Sequence, residues 1–271
     1  MPDRNTLIGI ILAGALTCAH AQWLNYPHPR TPHTRDGKPN LSAPAPRLNG
    51  KPDLSGVWVA QGDVPESGVL DTGGGDFALS KYAFNILADF KPEEAPMRPE
   101  ARAILQQREQ GHGKDSPSSH CLSHGIPLIN ALLPFKMIQT RVEIVMLIED
   151  NNPPRQIYLD GRKLPRDPQP SWMGYSSGSW RGDTLVVGTI GFNDRIWLDT
   201  AGHPQSEAMH LTERFHRRDF GHMDLEMTLD DPKYYTRPFT IKLGLMLIPD
   251  SDVLESVCAE NEKDRIHLDR P

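Results

Sequence analysis

The chain has 271 residues, a formal net charge of −6 and only three cysteines. That mildly acidic balance leaves no basic footprint for phosphates, so nucleic acid is not an expected partner. With 38% hydrophobic residues the chain can bury a core of substantial size, within the range of a single β-barrel or sandwich domain.

At the N-terminus Arg4 supplies a short positive region, Leu7 to Leu16 form an apolar run, and Ala19-His20-Ala21 reads as a small-x-small cleavage site before Gln22. This pattern predicts a signal peptide over residues 1–21; the run is shorter than the roughly 20 residues a spanning helix needs. Cys18 raises lipidation as the alternative, although Thr17 sits where a lipobox has a small residue. No other stretch is apolar and long enough to be an integral membrane segment, so the predicted location is secreted or periplasmic. Cleavage after Ala21 leaves two cysteines, Cys121 and Cys258. In an oxidising compartment an isolated pair most simply forms a disulfide, with free thiols or metal ligands as the alternative.

Residues 22–52 carry seven prolines from Pro27 to Pro52 and few apolar side chains, which predicts an extended arm, either a tether or a strap laid over the domain. The ordered domain, residues 53–271, opens with a short strand ending at Trp58. Near-helical spacing of Phe77, Leu79, Tyr82, Phe84, Ile86 and Leu87 predicts a helix over 77–90. A second is predicted over 99–110, with Pro99 in its first turn and Gly111 as its stop. A loop is expected over 112–134. Strands are then expected at 137–140, 143–148, 155–159, 176–180, 184–190, 208–217, 222–229 and 239–248. The turn signals Asp160-Gly161, Gly182-Asp183 and Asp219-Phe220-Gly221 suggest hairpins between them. The predicted fold is mostly β: an antiparallel meander of about eight strands closing into a lipocalin-like barrel, with a helical insertion near 77–111 and a β-sandwich as the alternative.

Several linked blocks carry a resemblance. They are Asn151 to Arg162, Pro168 to Ser176, Trp180 to Val187, Gly191-Phe192-Asn193-Asp194, Thr212-Glu213-Arg214-Phe215, and Cys258 to Glu262. From about Asp53 to Lys263 the chain resembles a widespread family of uncharacterised secreted bacterial proteins. The resemblance implies a hairpin arrangement similar to lipocalin-like barrels and an enclosed cavity; it implies no activity. One departure is Gln205, where the family's pattern has a histidine after Gly202-His203-Pro204.

Within the strand at 208–217, Leu211, Glu213 and Phe215 share one face, which puts a carboxylate on the apolar side. A buried carboxylate is costly unless paired, and such burial is also how a general acid or base is tuned. Glu213 is therefore the first catalytic candidate, with His222 or His203 as proton partner. The competing reading is an ion pair with Arg155, Arg195 or Arg237. Asn193 and Asp194 could present polar groups at a barrel mouth or merely form a turn. Trp172, Tyr175 and Trp197 are candidates to line a ligand cavity, together with Arg155. His120 and His124 admit zinc or copper, but Gly125 and Pro127 argue for a loop, and no cofactor is predicted. No nucleophile elbow, phosphate loop or dinucleotide fingerprint appears. Three functions remain: a barrel holding a small, largely apolar molecule in its lumen; a lyase, isomerase or hydrolase built on Glu213; and a surface interaction module.

Overall fold

The computed structural model describes residues 27–62, 70–71, 76–77, 79–150 and 152–258. The segment read as a signal peptide, Cys18 and the glycines at 73–75 lie outside them. The barrel strands are β3 (Gly56–Ala60), β6 (Phe135–Gln139), β7 (Glu143–Ile148), β8 (Arg155–Tyr158), β9 (Tyr175–Arg181), β10 (Thr184–Ile190), β11 (His210–Arg217), β12 (His222–Asp230) and β13 (Phe239–Leu247). Two short pairs stand outside it: β1 (Arg47–Leu48) with β2 (Lys51–Pro52), and β4 (Leu70–Asp71) with β5 (Asp76–Phe77).

The nine strands close in the order β10-β11-β12-β13-β3-β6-β7-β8-β9. In a ring of nine, strand direction cannot alternate all the way round, so at least one neighbouring pair must run parallel. That seam is β8–β9, held by only two register pairs, Ile157↔Ser176 and Tyr158↔Ser177. The barrel is thus mixed rather than a pure antiparallel meander. Asp160-Gly161 does not turn a hairpin; it begins a crossover that carries the chain from the end of β8 back to the start of β9. Gly182-Asp183 does turn a hairpin, with Arg181 paired to Thr184 and Gly182 at the positive φ of 64° that a tight two-residue loop needs.

Between β3 and β6 the chain covers the upper end of the barrel, where β10 and β12 finish and β11 and β13 begin. This insertion holds α1 (Lys81–Phe84), α2 (Pro99–Gln110) and α3 (Leu128–Leu132). The helix expected over 77–90 is cut to one turn. The Ile86 N–H that would continue it donates instead to Asp199 Oδ2 at 2.6 Å, and Asn85 Oδ1 accepts from Leu87 N at 2.9 Å. Phe77 lies in β5. α2 matches its expected bounds, with Pro99 at its start and Gly111 N–H closing on Gln107 O. α3 arises in the expected loop; five residues are too few to display a helical period.

The arm crosses the lower end. His28 N and Thr31 Oγ1 both donate to Asp250 Oδ1, and Ala43 O and Leu41 O accept from Phe220 N and Gly221 N of the β11–β12 turn. At this end Arg217 is held by backbone carbonyls. Its guanidinium donates to the carbonyls of Asp53, Asp219 and Phe220 and lies 4.9 Å above the Trp58 ring, and burial pushes its pKa down to about 10. Cys121 and Cys258 form a disulfide that ties the segment after β13 to the insertion.

The 137-residue separation of those cysteines sets an expected stability change. Replacing both by serine lowers unfolding free energy by about 4–5 kcal/mol in the chain-entropy view of cross-links. Chemical denaturation monitored by circular dichroism checks this, and an unchanged midpoint contradicts it.

Candidate functional site

Every second residue of a barrel strand faces the lumen. On β11 these are Leu211, Glu213, Phe215 and Arg217; on β10 they are Leu185, Val187 and Thr189; all seven are buried. Glu213 and Arg155 are both 0% exposed, so the carboxylate on the apolar face lies fully inside the barrel. There it meets the guanidinium of Arg155. Nη1 donates to Glu213 Oε1 at 2.9 Å, and Nη2 donates to Oε2. Of the three arginines expected as possible partners, Arg155 is the one.

The pair bridges β8 and β11 across the inner faces of β9 and β10. Those two strands supply Ser176 and Thr189, a cross-strand pair whose hydroxyls lie 2.9 Å apart. Arg155 Nε donates to Ser176 Oγ at 3.2 Å and Nη2 donates to Thr189 Oγ1 at 2.9 Å. From above, α3 lowers Asn130 into the lumen, where Nδ2 donates to Glu213 Oε1 at 3.2 Å. An ionised carboxylate only accepts, so Glu213 fixes which way the Asn130 amide points. Asn130 Oδ1 then lies buried with no donor from the described residues.

Two further contacts of this cluster fall on sulfur. Arg155 Nη1 is 3.9 Å from Met146 Sδ, and Asn130 Nδ2 is 3.5 Å from Met227 Sδ. The register explains this. Met146 is the cross-strand partner of Arg155, and Met227 is that of Glu213.

The predicted proton partners lie elsewhere. His222 stands at the lower end, five residues before Met227, which is about 17 Å along an extended strand from the level of Glu213. Its Nδ1 is 2.8 Å from Asp219 Oδ1, an oxygen that also accepts from the Gly221 and His222 amides, so His222 belongs to the turn. His203 lies on the buried loop between β10 and β11, with Nδ1 2.5 Å from Asp199 Oδ2. Asp199 is fully buried and also accepts from the Gly202, His203 and Ile86 amides. This pair fixes the ring's orientation and ties the loop to the insertion. Neither histidine hydrogen-bonds Glu213.

The other residues expected at a ligand cavity lie before and at the start of β9 and in the segment after β10. Asn193 Oδ1 accepts from Arg195 N at 3.0 Å, forming a local turn, and Asp194 is exposed. Trp172 lies half-buried beneath Arg195, Tyr175 is exposed, and Trp197 is buried beneath Arg108. Gln205, two residues after His203, donates to Asn193 O at 3.2 Å, and its own Oε1 lies buried with no donor among the described residues. His120 Nε2 is taken by Lys114 O and His124 Nε2 by Asp150 Oδ2. Among the described residues no group of three His, Cys, Asp or Glu side chains is placed to hold a metal, and no helix is long and apolar enough to cross a membrane.

Sequence reasoning reached Glu213 and Arg155 but missed Ser176, Thr189 and Asn130. The signal for Thr189 was the one that exposed Glu213: a polar residue in phase with Leu185 and Val187. Asn130 stood as the lone polar side chain between Ile126 and Leu133.

Comparison of the chain with protein-family models, curated proteins and solved structures returned no match.

Removing one member of a buried ion pair strands the other. Glu213→Gln is therefore expected to lower unfolding free energy by about 3–5 kcal/mol, whereas Arg155→Met combined with Glu213→Leu recovers most of that loss. Urea titrations of the unmodified chain and the two variants decide it; a double variant no more stable than Glu213→Gln contradicts the pairing.

Proposed function

We propose that this chain is an extracytoplasmic barrel that binds a small, largely apolar molecule in its upper lumen, against Arg155, Glu213 and Asn130. The observation that carries this reading is the hydrogen-bond shortfall of a buried polar cluster set among apolar core residues. Two of its N–H contacts rest on thioether sulfurs, which are weak acceptors, and one amide oxygen has no donor among the described residues. A buried acceptor left unsatisfied costs about 1–3 kcal/mol, which a ligand's polar group can offset. Methionine is unbranched and repacks readily, so Met146 and Met227 can yield space that a β-branched lining would not. A closed barrel of this size can hold one small ligand.

The disulfide supports a location outside the cytoplasm, as do the N-terminal export pattern and the family resemblance. Binding has more support than acid–base catalysis at Glu213, because Arg155 occupies both of its oxygens.

The uncharged fluorophore N-phenyl-1-naphthylamine tests the reading. Its emission is expected to rise saturably at one equivalent per chain and to fall when Met146→Ile and Met227→Ile stiffen the lining together. A linear rise without saturation contradicts it.

A further inference from the structure

Resting on the reading that the upper lumen binds a small apolar molecule, we infer that the ligand's polar end is a neutral hydroxyl, donating to Asn130 Oδ1. Three features of the cluster select this group. The first is the sign of the shortfall. The orphaned atom is an acceptor whose orientation Glu213 fixes, so the ligand must bring a donor. The second is the pair of N–H contacts resting on Met146 and Met227 sulfur, for which an oxygen is the stronger acceptor. A hydroxyl supplies one donor and two lone pairs in one atom, which meets both demands; an ether or ketone only accepts. The third is charge. Arg155 and Glu213 already neutralise each other in a fully buried site. A carboxylate or an ammonium would therefore bring an uncompensated charge into the lumen. The class implied is a long-chain or alicyclic alcohol, bound hydroxyl first beneath α3.

A matched series with a ten-carbon chain tests this by displacement of N-phenyl-1-naphthylamine: 1-decanol, decyl methyl ether, decanoate and decylammonium. The alcohol is expected to bind about tenfold tighter than the ether, the worth of one hydrogen bond to a buried orphan acceptor, and tighter still than either ion. Asn130→Leu is expected to bring alcohol and ether within about twofold of each other, while Met227→Leu, which leaves Oδ1 in place, retains the preference. Thermal melts of both variants check that they fold, and the series on the unmodified chain is decisive alone. If ether and alcohol displace the probe equally, the hydroxyl assignment is overturned and the lumen reading stands. If the probe does not bind, or no member displaces it, the lumen reading falls and takes the assignment with it.

Discussion

The ion pair between Arg155 and Glu213 sits where a nine-stranded ring is weakest. An odd ring must contain a parallel neighbour pair, and here that seam has only two register pairs, Ile157↔Ser176 and Tyr158↔Ser177. The guanidinium leaves β8 beside the seam, hydrogen-bonds hydroxyls on β9 and β10, and ends on the carboxylate of β11. Four consecutive strands are held from the inside by one side chain. The hydroxyls of Ser176 and Thr189 matter because a buried ion pair repays its desolvation only when its remaining donors and acceptors are satisfied. All five N–H groups of Arg155 have a partner, one of them only a methionine sulfur, and the shortfall at Asn130 and the two methionines is the feature on which the proposed ligand preference rests.

Both ends of the barrel are closed by chain that is not part of its wall. At the lower end Arg217 gathers backbone carbonyls from the entry segment and from the β11–β12 turn, and the arm adds Leu41 and Ala43 to that turn. At the upper end the insertion is fastened through Asp199, which holds Ile86 N–H and His203 at once, and through Asn130, which reaches Glu213. The upper closure therefore touches the polar cluster directly, whereas the lower one is separated from it by about half the length of β11. A ligand that engages Asn130 also engages the cover.

Much of the wall was legible because period-two alternation is strong over seven to nine residues. Glu213 in phase with Leu211 and Phe215 pointed to a buried carboxylate, and the register confirmed its inward face. The parallel seam was not legible: Asp160-Gly161 is a turn signal whether the chain reverses or crosses over, and only the register of Ile157 with Ser176 and Tyr158 with Ser177 distinguishes the two. The helix expected over 77–90 failed for a tertiary reason, since the amide that should have propagated it found Asp199, far away in sequence. His222 and His203 were attractive as titratable groups near Glu213 in sequence. Each instead pairs with a local aspartate, three and four residues away, which local sequence pattern does not separate from a catalytic role. Asn130 was hidden in a five-residue helix whose position over the lumen depends on the whole insertion.

The most direct measurement of the central interaction is arginine-selective nitrogen NMR of the intact chain, with Arg155 assigned through Arg155→Lys. A guanidinium held bidentately by Glu213 and sealed from solvent should show separate, slowly exchanging Nη–H signals at neutral pH that shift when 1-decanol is added. A single averaged resonance exchanging as fast as an exposed arginine would contradict the account, since it would mean that the pair neither staples the barrel nor frames a binding site.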